Sequence, residues 1–78
     1  METCTLDELP IGKMGRVKEI NTEDSMLRRL LDIGLIKDSL VKSVLKSPLG
    51  DPIAYEIKGA IIAIRNDDAR GIQIEVVE

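Results

Sequence analysis

The chain has 78 residues, a length that suffices for one compact domain and is too short for two. Hydrophobic residues make up 44% of it and charged residues 32%, a composition too apolar for a disordered segment. A net charge of −3 and a single aromatic residue, Tyr55, provide no basic stripe for duplex phosphates and no stacking platform for single strands, so we expect no nucleic-acid partner. Without Phe or Trp, the core has to be built from Ile, Leu, Val and Met.

The first elements are predicted from capping residues and glycines. Thr5 before a short acidic stretch that stops at Pro10 is typical of one capped helical turn, which we expect to act as a lid or plug. The segment Gly12–Ile20 carries two glycines and spaced apolar residues, which predicts a first strand with a bend or bulge.

One helix is predicted after this strand. Asn21, Thr22 and Ser25 are its candidate N-cap residues, and the acidic residues beside them suit the positive end of a helix. Apolar residues then recur at spacings of three and four, which indicates a buried stripe formed by Met26, Leu27, Leu30, Leu31 and Ile33 or Gly34. Gly34 is predicted to end the helix in a left-handed conformation.

Beyond the helix the hydrophobic period changes from 3.6 to 2. Residues 53–58 and 72–77 alternate in the manner of half-buried antiparallel strands, and residues 40–45 and 60–65 are strongly β-prone. The dipeptide Lys58-Gly59 predicts a tight hairpin turn, whereas Pro48–Pro52 predicts a longer loop. Asn66, before two aspartates, suggests one turn of helix ahead of the last strand.

These elements predict a mainly β fold. We expect one domain over residues 1–78: a small, partly open, five-stranded barrel with one helix between strands 1 and 2, and with short helical turns near the N-terminus and before the last strand.

The sequence contains no recognisable catalytic apparatus. It has no histidine, one cysteine (Cys4) that lacks a partner for a disulfide or a zinc knuckle, and no glycine-rich phosphate loop. Asp67 and Asp68 either pair for acid–base or hard-cation chemistry or serve as a helix cap and a solvated acid. We therefore predict a protein that is not an enzyme, holds no metal or cofactor, and binds a partner.

The location of the chain is predicted from two absences. The N-terminal sequence has no signal-peptide pattern and the single cysteine makes no internal disulfide, which favours the cytoplasm. The longest apolar run, residues 59–64, is far shorter than the roughly 20 residues that cross a bilayer, so we expect a soluble chain without direct membrane insertion.

Three residues are candidate partner contacts: Met26, Arg29 and Leu49. Met26 lies near the helix start, where a flexible side chain can be exposed and adaptable. Arg29, with Arg28, either grips an acidic partner or forms a hydrated helix face. Leu49 lies at the tip of a rigid turn and either docks onto a partner or folds back onto the barrel.

Motifs in a fixed order resemble the ferrous iron transport protein A (FeoA) family. They are RLLDIGL at Arg29–Leu35, SPLGDPI at Ser47–Ile53 and IRNDDA at Ile64–Ala69, and the segment Leu6–Gly15 is similar to that family's start. The sequence departs from the family at Ile33, where Met is common, and at Lys37-Asp38, where Pro-Gly is usual. Because Asp tolerates positive φ, we expect that turn to survive.

The resemblance implies an SH3-like barrel that acts as a cytoplasmic accessory of the FeoB-type membrane iron permease, binding it or its G-domain and modulating iron(II) transport. One aromatic residue is too few for the proline-peptide groove of an ordinary SH3 module. The alternative is an iron-responsive regulatory domain related to the C-terminal domain of iron-dependent repressors, in which carboxylates and carbonyls would form a weak site for a hard cation. Self-association through an exposed strand edge is left open.

Overall fold

The computed structural model describes residues 2–77, and β-strands are the main element of that range. The strands are β1 (Thr3–Thr5), β2 (Met14–Ile20), β3 (Leu40–Lys46), β4 (Ile53–Ile57), β5 (Ala60–Ile64) and β6 (Ile72–Val76). The helices are α1 (Asp24–Asp32) and α2 (Asn66–Ala69), and a 3₁₀ turn covers Leu6–Glu8. The mainly β prediction is confirmed; the first and last residues of the predicted domain lie outside the described range.

All six strands form one antiparallel sheet in the order β1-β6-β2-β3-β4-β5. Its inner face, α1 and the 3₁₀ turn enclose one core. The fully buried apolar residues of that core are Leu6, Leu9, Val17, Leu30, Leu35, Val41, Ile53, Tyr55, Ile57, Ile64, Ala69, Ile72 and Ile74. Met26 packs against this core from outside and is half-buried.

The prediction of five strands is wrong by one, because Thr3–Thr5 forms an additional edge strand. Thr3 lies opposite Glu75, and Thr5 lies opposite Gln73. Three residues are too few to show a period of two, so the segment has no strand signal of its own. It becomes a strand only because β6 offers a free edge to pair with.

The predicted turn near the N-terminus is confirmed, and it closes one end of the barrel. The N–H of Thr5 donates to the Glu8 carboxylate at 3.4 Å, as in a capping box. Leu6 and Leu9 are both buried, so the turn plugs the core as predicted. The predicted irregularity of the first long strand also occurs, since the β2–β6 register shifts between Val17 and Glu19.

The helix occurs where it was predicted, but its N-cap was predicted wrongly. The cap residue is Glu23, and its side chain makes no capping hydrogen bond. The backbone N–H of Asn21 donates to the carbonyl of Gly71 at 2.6 Å, so Asn21 is held against the β6 side of the barrel and the helix begins later.

The predicted C-terminus of the helix is correct. Gly34 follows the cap residue with φ 92°. The predicted apolar stripe is correct at the buried Leu30 but includes one residue too many, since Leu31 is 50% exposed. Adjacent residues on a helix are rotated by about 100°, so Leu30 and Leu31 cannot both face the core.

Two tight turns have the conformations that their residues predict. Lys58 and Gly59 both have positive φ, as the type I′ hairpin between β4 and β5 requires. Asp38 also has positive φ, 75°, so this residue accepts the turn that the family usually builds with glycine. Among residues 2–77, no helix is long and apolar enough to span a membrane.

Candidate interaction surface

The two predicted contact residues of α1 lie together at a surface cleft. Met26 and Arg29 are three positions apart, which places them on one face of the helix. Met26 is half-buried and Arg29 is exposed. They line a cleft of about 370 Å³ together with Pro52, Ala63, Arg65 and Asp68, which we call the α1 cleft.

The β3–β4 loop, residues 47–52, borders this cleft through Pro52. The N–H of Gly50 donates to the carbonyl of Ser47 at 2.8 Å, which closes a turn with Pro48 at its second position, where proline is favoured. Leu49 follows at the tip and is 94% exposed. The Leu49 side chain therefore does not fold back onto the barrel. Its docking onto a partner stays a prediction.

The loop is held in place by the start of α2. The N–H of Asn66 donates to Oδ1 of Asp51 at 3.0 Å, and Nδ2 of Asn66 donates to the Gly50 carbonyl at 2.9 Å. These bonds fix the loop beside the α1 cleft. The exposure of Leu49 is thus a property of an anchored turn, with its tip close to the cleft but outside its lining.

The sequence analysis missed Pro52, Ala63 and Arg65 as lining residues. Ile53 pairs with Ile64 across β4 and β5, and this register brings Pro52 beside Arg65. The IRNDDA motif contains Arg65, and an arginine directly after an apolar strand was the available signal. Its position relative to α1 depends on strand pairing, which the local sequence does not specify.

The charges of the α1 cleft are mixed: Arg29 and Arg65 line it with Asp68, and Glu23 and Asp67 border the space that adjoins it. Among the described residues, Arg29 and Arg65 form no ion pair, whereas Arg70, the C-cap residue of α2, pairs with Asp67 at 2.7 Å and with Asp7 at 3.8 Å. Asp68 contributes one carboxylate to the lining. Two free guanidinium groups beside apolar Met26 and Pro52 suit a polypeptide surface that presents an acidic group next to an apolar side chain.

Asp67 and Asp68 both border the surface space around Arg29 and Arg65, and they differ in their contacts. Asp67 is engaged with Arg70, and Asp68 faces the cleft. The N-cap of α2 is Arg65, and its side chain makes no capping bond. The prediction of an aspartate cap is therefore wrong, whereas the predicted solvated acid fits Asp67, whose side chain is 86% exposed. Within residues 2–77, no three His, Cys, Asp or Glu side chains meet as a potential metal-binding group.

The Cys4 thiol and the Tyr55 hydroxyl both have a raised pKa. Burial raises the pKa of the Cys4 thiol, and neighbouring carboxylates, first that of Glu8, raise it further. The thiolate is the reactive form, so this environment suppresses thiol chemistry. Burial, and then Asp7, raises the pKa of Tyr55, whose hydroxyl donates to the Leu6 carbonyl at 3.2 Å. Neither group borders the α1 cleft.

Comparison with known protein families identifies the family of this chain. The model of the FeoA domain matches residues 4–76, which is nearly the whole chain. The chain belongs to the FeoA family. The resemblance inferred from the three motifs is confirmed, and the family is one whose curated relatives are named as Fe(2+) transport proteins.

Two solved FeoA structures have the same fold. FeoA of Chlorobium tepidum superposes with a TM-score of 0.90 at 32% identity, covering 95% of this chain and 70% of the other. FeoA of Stenotrophomonas maltophilia, crystallised with zinc and described as an SH3 domain protein, gives a TM-score of 0.79 at 28% identity, covering 91% and 88%. The SH3-like architecture implied by the resemblance is confirmed.

One curated relative connects the family to a transporter. It is a fusion of Fe(2+) transport protein A with the Fe(2+) transporter FeoB in Porphyromonas gingivalis, 26% identical over 72 residues. The match covers 92% of this chain and only 8% of that protein. A manganese-dependent transcriptional repressor also superposes, with a TM-score of 0.85 at 22% identity over 96% of this chain and 42% of the repressor, which is a likeness of fold.

Proposed function

We propose that this FeoA-family chain is a cytoplasmic accessory that binds the FeoB-type iron permease and modulates iron(II) transport. The observation that carries the proposal is the Porphyromonas gingivalis fusion, in which a segment similar to this chain and a FeoB transporter are one polypeptide. Covalent linkage makes the contact between two modules intramolecular, so a fused pair indicates that the modules work side by side.

The proposed contact surface is the α1 cleft together with the tip of the β3–β4 loop. Leu49 supplies an apolar side chain that is 94% exposed on a loop anchored by Asn66. Arg29 and Arg65 supply two cations that are unpaired among the described residues. Met and Arg, which line the cleft as Met26 and Arg29, are enriched at protein interfaces, and the rigid turn limits the entropy lost when Leu49 is buried.

The test is a titration of the chain against its cognate permease in detergent, and against the isolated G-domain in its empty, GDP-bound and GTP-bound states. We expect Leu49→Asp and Arg29→Glu each to weaken binding by about tenfold or more, since loss of an interface anchor costs roughly 2 kcal/mol. Circular dichroism should show an unchanged fold, because both side chains point into solvent.

Matched controls separate the surface from general effects of charge. Arg28→Glu makes the same change on an exposed arginine of α1 that is not among the residues lining the cleft. Leu40→Asp makes the same change at the opposite end of β3, where Leu40 is 43% exposed. Both controls should bind normally. Absence of binding in every nucleotide state would refute the proposed function, whereas binding that is indifferent to Leu49 and Arg29 would refute only the surface.

The second candidate is a domain that responds to iron directly. Its support is the repressor likeness, which at 22% identity concerns the fold alone. Anaerobic calorimetry with iron(II) distinguishes the two functions. Micromolar or tighter iron(II) binding by the isolated chain would favour the sensor, and permease binding without it favours the accessory role.

A further inference from the structure

The two edges of the sheet differ in how they are protected. β1, at one edge, has only three residues. β5, at the other edge, has five residues without any charge or proline, AIIAI, and its ladder with β4 has no register shift. Natural sheets blunt their edges with short strands, charges, prolines or bulges, and β5 has none of these devices.

The free edge of β5 presents backbone groups at two residues. The two-residue turn makes Ile57 and Ala60 a hydrogen-bonded closing pair, so Ala60, Ile62 and Ile64 direct their N–H and C=O groups towards β4. Ile61 and Ala63 therefore direct theirs outwards. Among residues 2–77, β5 pairs with β4 alone, and Ile61 and Ala63 are both exposed. Ala63 also lines the α1 cleft, so a strand added at this edge would extend into that cleft at its Ala63 end.

The side chains of this edge are complementary to themselves. Ile61 and Ala63 lie on the outer face of the sheet, and Ile61 is 57% exposed. An antiparallel copy centred on Ile62 places each Ile61 opposite the Ala63 of the other copy, a large side chain against a small one. The two Ile62 residues meet at the centre. In this register Ile61 and Ala63 exchange both of their outward hydrogen bonds, which gives four bonds in total.

The flanking charges fit the same register. Arg65 of the second copy lies opposite Gly59, where a Cβ would meet nothing within 4 Å. This open space lets the guanidinium extend towards the outer-face carboxylate of Glu56 on the first copy. Arg65 has no ion-pair partner among the described residues of its own chain.

We propose that the β5 edge pairs with the β5 edge of a second copy of this chain, antiparallel about a two-fold axis at Ile62, so that the two sheets become one continuous sheet. Four hydrogen bonds and one strip of apolar contact are a small interface. The dimer is accordingly weak, with a dissociation constant on the order of 0.1–1 mM.

The test is sedimentation of the full chain from about 20 µM to about 2 mM, a range that brackets that constant. The mean mass should rise from one copy towards two. Ile61→Lys should weaken the dimer by about tenfold, since the unfavourable change occurs twice in a two-fold pair. The same substitution at Ile11, which is 47% exposed outside the edge, should leave the dimer unchanged.

The register has its own test. Adding Ala63→Glu to Ile61→Lys places a Lys opposite a Glu twice in the dimer and should recover most of the lost affinity. Ala63→Pro removes an outward N–H without touching the β4 ladder and should abolish dimerisation while the circular dichroism spectrum is retained. In concentrated samples, the amides of Ile61 and Ala63 should gain protection from hydrogen exchange.

Three outcomes would overturn the proposal. One is a single-copy mass throughout the concentration range. Another is a dimer indifferent to Ile61→Lys and Ala63→Pro, which would place the interface elsewhere. The third is protection of the Ile61 and Ala63 amides only when the permease is added, which would assign this edge to a strand of the permease instead of a second copy.

Discussion

Tyr55 links β4 to the N-terminal turn through a hydrogen bond of its hydroxyl group. It is the only aromatic residue of the chain and is fully buried in β4. Its hydroxyl donates to the carbonyl of Leu6, 49 positions earlier, so this buried phenol holds the N-terminal plug in place. A buried phenol stays neutral because ionisation would bury an unpaired charge, and Asp7 nearby adds repulsion.

The raised pKa of Tyr55 predicts loss of stability in alkali. The unfolded chain releases the phenolic proton near pH 10, whereas the folded chain retains it, so the unfolded state binds fewer protons above about pH 10. The stabilisation is complete below that pH, and the free energy of unfolding should fall by up to about 1.4 kcal/mol per pH unit above it. Urea unfolding followed by circular dichroism from about pH 8 to about pH 11.5 measures it.

Tyr55→Phe is the matched variant, because it removes the titrating group and keeps the ring. The difference in slope between the two proteins isolates the tyrosine from the titrating lysines. Since this is the sole tyrosine, phenolate absorbance reports its ionisation directly. Phenolate appearing near pH 10 in the folded protein would contradict the prediction.

At single residues, the sequence was informative wherever the deciding interaction is local. The positive φ of Gly34, and the shared helix face of Met26 and Arg29, depend on neighbours within four positions. Asp38 was expected to accept positive φ from its residue type, although its N–H also donates to the distant Val17 carbonyl at 2.7 Å. The exposure of Leu49 could not be decided from sequence, because it depends on bonds between its loop and Asn66 on another element.

The turn that follows α1 shows how an element is ended by a side chain as well as by glycine. Oγ of Ser39 donates to the Gly34 carbonyl at 3.1 Å and accepts from the N–H of Ile36 at 3.0 Å. Ser39 is buried and both of these hydrogen bonds are part-buried, so the hydroxyl supplies a partner that water could replace only in part. Ser43, four positions further along the chain in β3, is also buried, but its Oγ has no partner among the described residues.

The two serines should respond oppositely to removal of the hydroxyl. Ser39→Ala removes two part-buried hydrogen bonds and should lower the free energy of unfolding by about 1–3 kcal/mol. Ser43→Ala removes a buried polar group without a partner and should change it by less than about 0.5 kcal/mol or raise it. Urea denaturation of the two variants beside the parent chain is the measurement. Equal destabilisation by both substitutions would show that the hydrogen bonds of Ser39 are not the cause.

The elements themselves were predicted well, and their ends less well. Each long strand and α1 has its own hydrophobic period, which survives in the fold because the period reflects which side chains face the core. The N-cap of α1 and the strand β1 were missed because backbone bonds to distant residues decide them, those of Asn21 to Gly71 and of Thr5 to β6.

The whole molecule depends on aliphatic packing, with one free cysteine and no disulfide in the described residues. Domains of this size retain only a few kcal/mol of net stability. Leu6 and Leu9, which form the plug, are both buried members of the core. The single N-terminal turn therefore contributes two leucine side chains to the apolar surface that folding buries.

Truncation of the plug should therefore be costly. Leu6→Ala should lower the free energy of unfolding by about 2–5 kcal/mol, through lost burial and the cavity left behind. Leu49→Ala, the same change at a leucine that is 94% exposed, should cost less than about 0.5 kcal/mol. Thermal and urea unfolding compare the variants. A Leu6→Ala protein as stable as the Leu49→Ala protein would show that the plug is not part of the cooperative core.

By itself the sequence determined the class of fold, the order of helix and strands, the turn residues and the family, because each rests on periodicity or on motifs within a short stretch of chain. Tertiary structure alone decided the sixth strand, the meeting of Arg65 and Pro52 with α1, the exposed tip at Leu49 and the unprotected edge of β5. The physical reason is strand pairing: register and sheet order arise from contacts between distant segments, and the surfaces on which binding depends follow from them.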